Sequence, residues 1–279
     1  MKNSFLFLLF SCLSVFAIAQ DSTKAGGIGL GLNFSGVPIV NISGVDTSYQ
    51  NALSISPSIT LRSKAGWGIS YSTSIVTSGN KKGIYMQTLL GGFERYGKKA
   101  LDMDFHYAHF FFTNNTSVPY SPLSNEIYGS VAYTHFAIKP ILSVSVGFGK
   151  DSNNVSSNDI ELAAGIGHDL SWDKVGIFSQ IEVNPSIMVN AGTDNYFSFL
   201  QVAKFISHSH NYSKYVKKGG KRKNTSSSIE LSNLELNMET NFEMGSFSIR
   251  PTGSMVFPLS SGTDNSLFAY GEISLQYHF

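Results

Sequence analysis

The chain has 279 residues, and only 14% of them are charged, against roughly 25% in ordinary soluble domains. Hydrophobic residues make up 42%, Gly numbers 26, Tyr 13 and Phe 21, and the formal net charge is +1. That balance gives no general electrostatic case for nucleic acid, and residues 20–279 hold no run of about 18 or more apolar residues, which excludes a spanning helix there.

The first segment reads as an export leader. Lys2 supplies a positive start, Phe5 to Phe16 form a short apolar core, and Ala17-Ile18-Ala19 is a small-x-small cleavage site. Cleavage there leaves Gln20 first, giving a signal peptide over 1–19 and a mature domain over 20–279. The single cysteine, Cys12, lies inside the leader, so the mature chain is expected to carry no thiol and no disulfide. Leu9-Phe10-Ser11-Cys12 is a poor lipoprotein site beside the better-formed Ala-x-Ala.

From Gly27 onward apolar and small polar residues alternate at period two, in blocks of about ten residues. Ile28, Leu30, Leu32 and Phe34 alternate with Gly and Asn; Leu53, Ile55, Ile59 and Leu61 alternate with Ser54, Ser56, Ser58 and Thr60. Trp67, Ile69, Tyr71 and Ile75 follow, then Met103, Phe105 and Tyr107, then Leu142, Val144, Val146 and Phe148. Ile160, Leu162 and Ile166 continue the series, then Val175, Ile177, Ile181 and Val183, then Phe247, Ile249, Met255 and Phe257. Nothing comparable repeats at helical spacing. Tight turns are predicted at 64–66, 96–100, 171–174 and 242–245, and longer polar loops at 37–51, 113–125, 150–157, 191–226 and 258–265. The last residues, Ile273, Leu275, Tyr277 and Phe279, share one face and finish on an aromatic carboxy-terminus.

In alternation, in short turns opposite long loops and in that terminus, the chain resembles the outer-membrane β-barrel proteins of Gram-negative bacteria. The resemblance covers residues 20–279 and implies an all-β fold: a closed antiparallel transmembrane β-barrel with both termini periplasmic. It also implies outer-membrane lipid and lipopolysaccharide as surroundings, and recognition of the last strand, through Leu275, Tyr277 and Phe279, by the barrel assembly machinery. Strand starts near Gly27, Ala52, Trp67, Ile84, Leu101, Glu126, Lys139, Asn158, Val175, Ser227, Ser246 and Ser266 give twelve strands. A hairpin built on Tyr196–Ile206 would make fourteen.

Several polar groups are candidates for chemistry. Lys214, Lys217, Lys218, Lys221, Arg222 and Lys223 form a basic run in the long external loop, either a solvated tip or a contact for lipopolysaccharide phosphates. Asp102, Asp104 and His106 share the lumen face near the periplasmic end, spaced for a hydrogen-bonded network better than for a metal. His208 and His210 are a weaker pair still. Outward Phe247 and Ile249 turn Arg250 inward. With the turn at 242–245, Arg250 falls opposite Asn237, and Glu182 faces Glu235. The predicted lumen cluster is Glu182, Glu235, Glu239, Arg250 and Glu272.

No cofactor or enzyme is predicted. A twelve-stranded outer-membrane phospholipase carries His-x-Ser, a spacing missing here, and Ser171 falls on the wrong face relative to His168. The glycines over 26–31 lead into no helix, so they do not make a phosphate cradle. Two readings lead, a narrow passive channel or uptake pore for small solutes, or a closed barrel serving as a surface platform or adhesin through the loop at 191–226; an outer-membrane lipid hydrolase is the remote alternative.

Overall fold

The computed structural model describes residues 26–43, 46–78, 82–96, 100–113, 123–150, 156–193, 229–259 and 268–279. The leader, Tyr196–Ile206, His208, His210 and the basic run at 214–223 lie outside the described residues. What is described is all-β. The strands are β1 (Gly27–Ser43), β2 (Asp46–Arg62), β3 (Trp67–Val76), β4 (Gly83–Arg95), β5 (Leu101–Phe112), β6 (Asn125–Tyr133) and β7 (Lys139–Lys150). They continue with β8 (Ser156–Gly167), β9 (Leu170–Val175), β10 (Phe178–Gly192), β11 (Glu230–Met244), β12 (Phe247–Pro258) and β13 (Phe268–His278).

Each strand pairs antiparallel with its neighbours, and β13 pairs back onto β1 from Gly29↔His278 to Ser35↔Glu272, which closes the ring. The thirteen segments occupy twelve positions. Along β10, β8 is in register through Gly167↔Ser186, and β9 continues without slip through Leu170↔Val183. The break between them, at His168 and Asp169, falls opposite Pro185, which has no N–H to give the ladder. The His168 amide still reaches the Pro185 carbonyl at 3.0 Å. Pro57 and Pro251 sit in similar gaps: β2–β3 pairing skips from Ile55↔Ile75 to Ser58↔Ser72, and β11–β12 pairing from Glu239↔Thr252 to Phe242↔Ile249. Replacing Pro185 with Ala should restore a donor and fuse β8 with β9, and amide exchange over 167–170 should slow; unchanged exchange would assign the break to another cause.

The fourteen-strand alternative is not the architecture. β10 and β11 pair directly from Gln180↔Glu243 to Gly192↔Glu230, so no further strand stands between them.

Three boundaries differ from those read in the sequence. The loop expected at 37–51 is a ladder, with Val37↔Ala52 continuing to Ser43↔Asp46, since β-branched Val37, Ile39, Val40 and Ile42 favour extended backbone. The turn expected at 171–174 lies at Gly176–Ile177, and the turn expected at 242–245 lies at Gly245–Ser246. In both hairpins Gly takes the first of two central positions, with φ +62° at Gly176 and +60° at Gly245. A two-residue hairpin needs φ above zero there, so the glycine fixes where the chain reverses.

Connections at one end run over 63–66, 96–100, 134–138, 176–177 and 245–246, and both β1 and β13 have their outer ends here. At the other end the chain leaves β5 at Phe112 to return at Asn125, and leaves β10 at Gly192 to return at Glu230. Twelve strands about 4.8 Å apart, tilted by roughly 40°, make a backbone cylinder on the order of 24 Å across. The outside is apolar: Leu53, Ile59, Leu61, Ile69, Leu142, Ile166, Ile187, Met255 and Ile273 are all exposed. A water-soluble chain does not expose so continuous an apolar surface. Aromatic rings gather at the short-turn rim, where Trp67 lies 5.2 Å from Phe93 and Tyr277 4.8 Å from Phe279, and Phe111 and Phe148 lie near the long-loop rim. Apolar belt and aromatic edges together are the wall of a membrane-spanning barrel.

Candidate functional site

Because side chains alternate faces, outward Leu, Ile, Val and Phe fix which residues line the inside. Inward positions near the short-turn end carry Glu94, Asp102, Asp104, Asp169, Asp173, Glu182, Glu239 and Glu243. Farther up stand Glu126, Asp159, Glu161, Glu235 and Glu272. Among the described residues these thirteen carboxylates share the inward face with three Lys or Arg side chains: Arg62, Lys139 and Arg250. All three cations sit near the short-turn end, and each is paired. Arg62 bonds Glu94, crossing β3 over Gly68, which has no side chain to block it. Lys139 bonds Asp169 and lies 3.9 Å from Asp102, and the Arg250 Nε lies 3.3 Å from Glu239.

The predicted lumen cluster is only partly assembled. The register on either side of the Pro251 gap sets Arg250 across from Asn241, not Asn237, and it meets Glu239 across β11–β12; Glu182 pairs with Asn241, not Glu235. The turn two residues later in the chain shifts the β11–β12 register by four, and the β10–β11 register differs by six; both numbers are even, so the faces survive while the partners change. Glu235 stands higher, accepting hydrogen bonds from Tyr270 at 2.6 Å and Asn190 at 3.2 Å, and Glu272 accepts from Asn33 at 3.4 Å. Asp104 and His106 are in contact at 3.3 Å, and His106 stacks on Tyr128 with ring centroids 4.8 Å apart. Leu275, Tyr277 and Phe279 close the ring: Leu275 pairs with Leu32 and Ile249, and the Phe279 amide donates to Ile28 at 2.9 Å.

The upper half of the inside was not legible in the sequence. There Val37, Ala52, Val76, Tyr85, Met86, Ala108 and Phe110, on β1 to β5, form a buried apolar cluster. Tyr85 enters it through a bulge between Ser74 and Ile75, and its hydroxyl meets Ser54 at 3.1 Å. Across the lumen, on β6 to β11, buried polar groups are hydrogen-bonded: Ser145 to Glu126 at 2.6 Å, Thr193 to Asp159 at 3.0 Å, Asn190 to Asn233 at 2.7 Å. Ser54, Ser74 and Ser145, small polar residues on the inward face, are themselves buried. The inside is therefore packed toward the long-loop end and carries its ion pairs toward the short-turn end.

No known protein family matches the chain, and no curated protein is detectably similar. Among solved structures the chain is similar to the NanC porin, with 9% identity, a TM-score of 0.47, and coverage of 90% of this chain and 100% of that one. It is similar to an outer-membrane channel from Pseudomonas putida F1, with 8% identity, a TM-score of 0.45, and coverage of 94% and 98%. LpxR from Salmonella typhimurium matches with 8% identity, a TM-score of 0.45, and coverage of 90% and 100%. The barrel itself is established by the strand ladder of this chain, not by these similarities.

Proposed function

We propose that the chain is an exported outer-membrane β-barrel acting as a narrow passive channel that prefers small cations. The observation that carries this reading is the excess of carboxylates over cations on the inward face among the described residues. Rings and walls of fixed negative charge raise the local concentration of cations and repel anions in a confined aqueous path. In this reading the long loops face outward, the short turns and both chain ends face the periplasm, and lipopolysaccharide surrounds the outer rim. The test is conductance of the refolded mature barrel in planar bilayers: small ohmic steps with cation preference are expected. A barrel that conducts nothing would remove the channel.

A second reading is favoured by the packed upper lumen, where Val37, Ser54 and Val76 are fully buried. A closed barrel would act as a surface platform through the loop around 191–226, and the same bilayer measurement separates the two. Sidedness has its own check. Protease added to whole cells should cut within the basic stretch at 214–223, as exposed polar loop tips do, and resistance until the cells are broken would reverse the orientation.

A further inference from the structure

Polar side chains interrupt the apolar belt on β3 to β6 and again at Asn158 on β8. Toward the long-loop end β2, β7, β11 and β12 turn out Leu53, Phe148, Leu234 and Phe257, and β8 turns out Ile160 and, beside Phe148, Asn158. β3 to β6 turn out Tyr71, Thr73, Gln87, Tyr107, His109 and Asn125, with apolar Ile75, Ile84 and Phe111 beyond them toward the long-loop end on β3, β4 and β5. The polar groups are held in a definite arrangement. Asn125 Nδ2 donates to the Phe148 carbonyl at 3.1 Å, and a carbonyl only accepts, which fixes the carboxamide's orientation. Its Oδ1 therefore accepts twice, from the Tyr107 hydroxyl at 2.7 Å and from His109 Nδ1 at 2.7 Å. Neutral His109 thus carries its proton on Nδ1 and presents Nε2 as an acceptor, with no partner among the described residues.

Gln87 is the complement. Its Oε1 accepts from Tyr71 at 2.9 Å, leaving the amide N–H groups as donors. Gln87 pairs with Phe111 and Leu89 with His109, so Gln87 and His109 are diagonal neighbours on adjacent strands, about 7–8 Å apart. Just below them Gly91 takes an outward position between Ile69 and Tyr107, with open space where a side chain would stand.

We propose that this notch holds the sugar headgroup of a glycolipid in the leaflet at the long-loop end, with one acyl chain lying over Gly91. One acceptor and one donor at that separation suit the hydroxyls of a sugar ring. A phosphate would be held by Lys or Arg, and none of the six positions carries either; the outward Lys150 stands apart, two residues beyond Phe148 on β7. Exposing a fixed acceptor and a fixed donor to hydrocarbon is costly unless a headgroup meets them. This site does not depend on whether the barrel conducts.

The refolded mature barrel would be placed in phosphatidylcholine nanodiscs containing a minor fraction of monoglucosyl diacylglycerol, and retained lipids counted by native mass spectrometry. The wild type should keep the glucosyl lipid in preference to phosphatidylcholine. His109→Leu and Gln87→Leu should each lower that preference about fivefold, the loss of one net hydrogen bond, while His168→Leu at the other rim leaves it unchanged. Heat-modified mobility on gels checks that each variant is a barrel. Should a variant fail to fold, 15N spectra of wild-type His109 decide. An unprotonated Nε2 whose shift moves with the glucosyl lipid supports the site, and an unresponsive one overturns it. Equal retention of both lipids, or preference for phosphatidylethanolamine or phosphatidylglycerol in place of the glucosyl lipid, also overturns it.

Discussion

Glu182→Gln combined with Glu272→Gln should leave the barrel folded and reduce its cation preference in planar bilayers severalfold. Both side chains face the lumen. Glu182 lies in the row of Asn241 and Arg250, and Glu272 lies beyond Thr252 on the next strand. In water a unit charge about 8 Å from a passing ion contributes roughly 0.5 kcal/mol, near a factor of two in local ion concentration, so two charges give about fourfold. Arg250→Gln should move the preference the opposite way, because it removes a cation and leaves Glu239 unpaired. Reversal potentials under a salt gradient give the ratio directly. If both variants leave the reversal potential where it was, these charges do not line the conducting path.

Leu275→Pro should abolish the folded barrel, in lipid vesicles as well as in cells. Leu275 sits between Leu32 on β1 and Ile249 on β12, in the middle of the strand that closes the ring. Proline removes a ladder donor at a position paired on both sides, and within a bilayer the orphaned groups have no water to turn to. Deleting Phe279 is a different experiment. It removes one hydrogen bond, donated by the Phe279 amide to the Ile28 carbonyl, and a ring contact with Tyr277, and the seven pairs of the closing ladder remain. We therefore expect that deletion to fold in vesicles at near wild-type yield and to lower the heat-modifiable barrel in cells, as recognition of the terminus by assembly machinery requires. Equal loss in both settings would make the residue structural; no loss in either would remove its assembly role.

Strand identity was legible because alternation is a strong signal when one face meets lipid and the other does not. Trp67, Ile69 and Tyr71 outward against Ser70 and Ser72 inward could be read without coordinates, and so could inward Arg250. Register was harder. Gly176 and Gly245 each open a two-residue hairpin, but both also fit the longer turns drawn a few residues earlier. Moving the second turn to Gly245 shifts Arg250 from Asn237 to Asn241, and the β10–β11 register, set across the long connection after Gly192 and by neither turn, shifts Glu182 from Glu235 to Asn241; both shifts are even, so both side chains kept their face. The bulge that turns Tyr85 inward beside Met86 leaves no periodic trace, so the apolar half of the lumen was invisible. His109 was placeable on the outer face from Phe105 and Tyr107. Its bond to Asn125 was not, because that depends on the β5–β6 register across the loop.

The seam between β13 and β1 sets this barrel's folding apart in time. Every other junction joins strands next to each other in sequence, but the seam brings together residues such as Asn33 and Glu272, 239 positions apart. Loop-closure entropy rises only slowly with length, so the separation adds little to the equilibrium cost of the ring. Its cost is kinetic: contact order of that kind makes closure the slow step. Until β13 docks, β1 presents a bare row of amides and carbonyls, the kind of edge that recruits strands from other chains. An assembly route for this protein has to shield the outer flank of the first hairpin until the last strand has been made.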